Sequence, residues 1–145
     1  MNDKEFLKLA IRQSELSVER GLFPSGALVV FKNEIIASET SYVYPGYQHA
    51  EYKAIDNAFQ KIGRLAGAIL YVSMEPCLMC LGMAYWAGIR KIVYAIRKES
   101  VKQEYYEGIQ DNEKTAESFN ESMEYLQIPE LEEDALKVVR AGEGR

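Results

Sequence analysis

His49 is the chain's one histidine, and Cys77 and Cys80 are its two cysteines. All three fall in two short motifs, His49-Ala50-Glu51 and Pro76-Cys77-Leu78-Met79-Cys80. Cysteines at i and i+3 in the first turn of a helix share one face, so both sulfurs can point at one ion. Two thiolates and an imidazole suit Zn²⁺. The supply of soft ligands then ends at three. A closed structural zinc site takes four protein ligands, whereas a catalytic site takes three and leaves the fourth position to water. Zinc lowers the pKa of bound water from about 16 to about 7, which makes a nucleophile available at neutral pH. A proton must still reach the leaving group, and Glu51, two residues past the histidine, is the expected shuttle. Taken singly, these residues have plainer readings: a redox pair or two buried thiols for the cysteines, a hydrogen-bonded core group for His49. Those readings leave unexplained why every soft ligand and a carboxylate fall in one arrangement.

Local periodicity indicates which elements carry these groups. Leu7, Ala10, Ile11 and Val18 predict a helix over residues 3–20, with Asn2 or Asp3 as N-cap and Gly21 just past its end. Residues 26–31 and 34–37 are short β-prone runs separated by a Lys32-Asn33 turn. Ala54, Ile55, Ala58 and Phe59 form the apolar stripe of a helix over residues 49–62, stopped by Gly63. Residues 68–73 are almost unbroken in apolar character, as in a strand covered on both faces. Residues 77–88 predict a helix with Pro76 in its first turn, and residues 91–96 another strand. The order α-β-β-α-β-α-β implies an α/β fold with helices packed on a mixed sheet. Positions i and i+2 stand about 200° apart around a helix. His49 and Glu51 therefore reach one ion only if their helix points its N-terminus at the metal. The same is expected of the cysteine helix, and two positive helix ends would stabilise thiolates.

The 145 residues are 48% apolar and 27% charged, which suits one soluble domain over 1–145 and excludes a disordered chain. A net charge of −5 provides no overall positive field, so polyanion binding is disfavoured. The acidity lies in residues 98–145, where 13 acidic and 6 basic side chains give −7. There, Phe119, Met123 and Leu126 are expected to anchor one helix. Leu131, Ala135 and Val138 or Val139 are expected to anchor another, both docked on the same sheet or on a partner subunit. The N-terminus lacks a signal-peptide pattern, and the longest apolar run, residues 78–89, is too short to span a bilayer. A reducing cytoplasmic setting with free thiols is the expectation.

The His-Ala-Glu and Pro-Cys-x-x-Cys motifs together resemble the zinc signature of the cytidine deaminase superfamily. The resemblance extends through Pro24-Ser25-Gly26-Ala27 and Leu70-Tyr71-Val72-Ser73-Met74-Glu75, and covers about residues 3–97. The stretch Cys80-Leu81-Gly82-Met83-Ala84-Tyr85-Trp86-Ala87-Gly88-Ile89 is most similar to bacterial guanine deaminases of that superfamily. The resemblance implies a three-layer α/β/α sandwich with a mixed central sheet of about five strands. It implies one Zn²⁺ per subunit on His49, Cys77 and Cys80, with Glu51 as the catalytic proton carrier. The implied reaction is hydrolytic removal of an exocyclic amine from a ring carbon, with release of ammonia. Ala50 and Cys77 would place backbone N–H groups beside the reacting centre. Trp86 would contact the base, although a core tryptophan is the alternative. Glu107 would act as a second proton relay on a C-terminal segment sometimes exchanged between subunits, or else lie in a solvated turn.

Two positions depart from the family. Ser41 is the nearest match to a substrate-binding asparagine, and Tyr44-Pro45-Gly46-Tyr47-Gln48 stands where Asp-Pro-Thr is usual. Tyr42, Tyr44 and Tyr47 are candidates to stack on a planar heterocycle, with surface or edge packing, the commoner role of tyrosines in such runs, as the alternative. The expected substrate is a free guanine-like nucleobase or a related small amino-substituted heterocycle, and the expected partner is a second copy of the chain. A tRNA adenosine deaminase is the alternative, favoured by the Tyr-Val-x-x-Glu-Pro-Cys wording and opposed by the acidic tail. A non-catalytic zinc module is a further alternative, and the presence of Glu51 opposes it.

Overall fold

Asn2 opens the first helix by reciprocal capping: its side chain accepts the Glu5 N–H at 2.9 Å, and the Glu5 carboxylate accepts the Asn2 N–H at 3.1 Å. The computed structural model describes residues 1–144. Helix α1 (Asp3–Glu19) buries the predicted stripe of Leu7, Ala10, Ile11 and Val18 together with Phe6. Strands β1 (Gly26–Phe31) and β2 (Glu34–Thr40) form a hairpin. Its turn residues Lys32 and Asn33 both take positive φ, 51° and 64°, which matches the right-handed twist of the strands. Strand β2 runs three residues past its predicted end because β1 offers partners as far as Gly26, which pairs with Thr40. Helix α2 (Ala50–Ile62), strand β3 (Ile69–Met74), helix α3 (Leu78–Ala87) and strand β4 (Lys91–Ile96) follow. Helix α4 (Asn112–Ser118), strand β5 (Glu124–Gln127) and helix α5 (Glu132–Glu143) complete the order.

The sheet runs β2-β1-β3-β4-β5. Strand β1 is antiparallel to β2 and β3, while β3–β4 and β4–β5 are parallel, so the five-stranded sheet is mixed as the sequence suggests. Side-chain alternation sorts the layers. Ala27, Val29, Leu70, Val72, Ile92 and Tyr94 pack with α2 and α3 on one face. Leu28, Val30, Tyr71, Val93 and Ala95 pack with α1 and α5 on the other. The result is an α/β/α sandwich.

Three expectations are corrected. Phe119, Met123 and Leu126 do not share a helix: α4 ends at Ser118, and Met123 leads into β5. The open edge of β4 selects a strand there, with Met123 and Tyr125 inward and Leu126 partly exposed. Phe59 lies outside the buried stripe of α2, which consists of Ala54, Ile55 and Ala58 and brings the helix close to the sheet. Pro76 precedes the α3 N-cap, Cys77, and so lies outside the helix.

Helix α1 lies directly on the start of β1, where a Cβ on Gly26 would overlap the Ala10 carbonyl oxygen and the Ser14 nitrogen. Both obstacles are backbone and cannot rotate away. Gly26→Ala is therefore expected to destabilise the fold by about 1–3 kcal/mol. Urea unfolding checks this, and a midpoint equal to that of the parent chain would contradict the packing.

Candidate metal centre

Helices α2 and α3 begin beside each other, with His49 as N-cap of one and Cys77 as N-cap of the other, both with extended backbone. Neither side chain caps its own helix. They turn toward each other instead: His49 Nδ1 lies 3.4 Å from Cys77 Sγ and 3.7 Å from Cys80 Sγ. The three ligand atoms all lie within 4.8 Å of one another. Tetrahedral zinc, with bonds of about 2.0 Å to nitrogen and 2.3 Å to sulfur, separates those atoms by about 3.5 Å. The donor set therefore fits the ion in number, type and spacing. His49 Nε2 lies 2.7 Å from the Gly46 carbonyl oxygen, which can only accept. Nε2 thus carries the hydrogen and Nδ1 is free to ligate, the arrangement that orients metal-binding imidazoles.

The electrostatics agree. Cys77 is pulled down to about 6, first by its hydrogen bond with Cys80 and then, against its burial, by His49. His49 is pushed up to about 9, first by its hydrogen bond with Cys77. Cys80 is driven up by that same thiolate neighbour and by burial. The trio shares protons that a dication would displace on binding. Both cysteines are free thiols.

Glu51, in the first turn of α2, is 4% exposed, and burial followed by the charge of Cys77 raises its carboxyl to about 7. It lines a cavity of about 280 Å³ together with His49 and Cys77. Three packed aromatic rings also line it. Phe23 stacks on Tyr44 at 5.3 Å, and Tyr105 meets both edge-on at 4.9 and 5.2 Å. Four carboxylates, Glu51, Glu75, Glu104 and Glu107, also line it, and no lysine or arginine does among the described residues.

Ser41 is buried and lines this cavity, as do Tyr44 and Tyr47, whereas Tyr42 does not. Ala50 is fully buried between His49 and Glu51. Glu107 lines the cavity and accepts the N–H groups of Leu78 and Met79, each at 3.0 Å. Burial works to raise its carboxyl, but those backbone donors hold it below its ordinary value. Trp86 is neither in the cavity wall nor in the core. It is 80% exposed, about 200° around α3 from the buried Ala84. The spacing of Glu75, Tyr106 and Tyr125 does not mark them as part of the site. Glu75 stands immediately before the Pro-Cys pair, which is the signal that marks it.

The family model of the cytidine and deoxycytidylate deaminase zinc-binding region matches residues 1–96. The chain belongs to this zinc-binding deaminase family. Family members similar to it include the tRNA-specific adenosine deaminase of Bacillus subtilis, 38% identical over 99 residues, or 63% of this chain and 60% of that protein. The guanine deaminase of the same organism is 40% identical over 101 residues, or 66% of this chain and 65% of that protein. The matches thus span less than two thirds of these relatives' length. A solved structure of guanine deaminase from Bacillus subtilis superposes with a TM-score of 0.67 at 30% identity, covering 100% of this chain and 96% of that one. The deaminase family binds zinc, and His49, Cys77 and Cys80 are this member's candidate zinc site. No helix among the described residues is long and apolar enough to cross a membrane.

Proposed function

We propose that the chain is a hydrolytic deaminase of a free guanine-like nucleobase or a related small amino-substituted heterocycle. The observation that carries this reading is the three-ligand cluster with Glu51 beside it, at an aromatic cavity whose lining holds no lysine or arginine among the described residues. His49, Cys77 and Cys80 would hold one zinc ion, which when bound supplies a water acidic enough to react near neutral pH. Glu51, buried beside the ligand set, accepts a proton on the water side and delivers it to the departing amine. Phe23, Tyr44 and Tyr105 flank a planar ring and exclude water from it. Ser41, the nearest match to the family's asparagine, offers a hydroxyl in the cavity wall, and the Ala50 and Cys77 backbone borders the reacting centre. Glu107 anchors the start of α3 through Leu78 and Met79.

A second copy of the chain is the proposed partner, supported by Trp86, which stands exposed on α3 outside the cavity wall. The two free thiols suit a cytoplasmic setting. The tRNA reading has support in the adenosine deaminase relative. The cavity opposes it, because each phosphate held near the site needs a neighbouring cation.

An ammonia-release screen over guanine, adenine, cytosine, their nucleosides and aminated triazines tests the substrate class. Release from a free base, with turnover nearly indifferent to salt, is the expected outcome. Inosine formed in tRNA, with binding that weakens by about 10³-fold or more between low and moderate salt and with no base turned over, would overturn it.

A further inference from the structure

Cys77 is flanked on both sides by residues whose polar groups are held from the C-terminal part of the chain. On its N-terminal side, both carboxylate oxygens of the buried Glu75 are occupied. Oε1 accepts the Lys98 N–H at 2.8 Å, and Oε2 accepts the Tyr125 hydroxyl at 2.7 Å. The Glu75 carbonyl accepts the Tyr106 hydroxyl at 2.6 Å, and the Pro76 carbonyl accepts the Asn112 amide at 3.1 Å. The Glu75 N–H goes to the Ile96 carbonyl at 2.8 Å, and Pro76 has no N–H to place. On the C-terminal side, Glu107 takes the Leu78 and Met79 N–H groups. Every side chain in this set that reaches residues 75–79 comes from beyond residue 97, past the end of the family match at residue 96.

We infer that residues 98–125 act as a brace that presets the Cys77 ligand, with Glu75 as the positioning residue at its centre. This rests on the zinc reading of His49, Cys77 and Cys80. Swinging the Glu75–Pro76 backbone away would leave a buried carboxylate and two buried carbonyls without donors, a penalty that fixes the chain one residue before the ligand sulfur. A ligand loop already ordered before the ion arrives spends none of the binding energy on ordering itself. Groups that orient first ligands in this way typically contribute 10- to 100-fold in metal affinity.

The test is equilibrium competition of the zinc-loaded chain against a chromophoric chelator. The variants are Tyr125→Phe, which frees Glu75 Oε2, and Asn112→Ala, which frees the Pro76 carbonyl. Tyr94→Phe is the control: Tyr94 packs on the Tyr125 ring at 5.0 Å, but its hydroxyl holds nothing in residues 75–76. Zinc Kd is expected to rise about 10- to 100-fold in the first two and to stay at the parent value in the control. The metal-free Tyr125→Phe chain is expected to melt below the control, because Glu75 Oε2 loses its donor, so Kd is read at a temperature where every variant is folded. Parent-like Kd in both brace variants overturns the inference, as does an equal loss in Tyr94→Phe, which would signify general loosening. If Tyr125→Phe fails to fold, Asn112→Ala decides alone. A parent chain without zinc affinity is a different failure, which overturns the metal reading itself.

Discussion

Glu51→Gln is expected to give a folded, zinc-loaded protein whose turnover has fallen by about 10²- to 10⁴-fold, the usual contribution of a positioned proton carrier. Glutamine matches glutamate in shape, so the buried position in the first turn of α2 stays filled. It also removes a charge that opposes the Cys77 thiolate, so the ligand set keeps its hold on the ion. The loss should appear in kcat, with KM changed far less, because Glu51 is assigned to moving protons rather than to gripping the ring. Steady-state kinetics on the best substrate, together with zinc content, check this. Turnover within tenfold of the parent, at full zinc loading, would remove Glu51 from the chemistry and favour a binding module.

Cys80→Ser carries the second large effect. Cys80 is fully buried, and no other thiol or imidazole in the chain can replace it once Cys77 and His49 are engaged. Bound zinc is expected to fall from one per chain to near zero. With free zinc about 1,000-fold above Kd, the ion adds about 4 kcal/mol to folding. For a chain of this length that corresponds to about 10 °C in Tm. Chelation should therefore lower the melting point of the parent by about that amount and leave Cys80→Ser unmoved. Equal response of both proteins to the chelator would contradict the assignment of Cys80 as a ligand.

Much of this site is visible in one dimension because its chemistry is sparse. With one histidine and two cysteines, the candidate ligand set follows from residue type alone, and the spacing of the two motifs places each at a helix start. The caps of α1, the turn at Lys32-Asn33 and the stop at Gly63 are likewise local, each set by a few neighbouring residues. What spacing does not reveal depends on distant partners. Met123 to Leu126 has enough apolar character for either a helix or a strand, and only the free edge of β4 decides. The brace around Glu75 joins residues 23 to 50 positions apart, so no window of sequence contains it. Trp86 was legible as chemistry or core by type, yet the outward face of α3 left it in solvent.

The most direct measurement is a crystal structure of the zinc-soaked chain with diffraction recorded at the zinc absorption edge. One anomalous peak is expected within bonding distance of His49 Nδ1, Cys77 Sγ and Cys80 Sγ, with a water in the fourth position and the Glu51 carboxylate near that water but off the metal. No peak among those three atoms, or a peak whose fourth ligand is a protein side chain, would contradict the catalytic zinc reading.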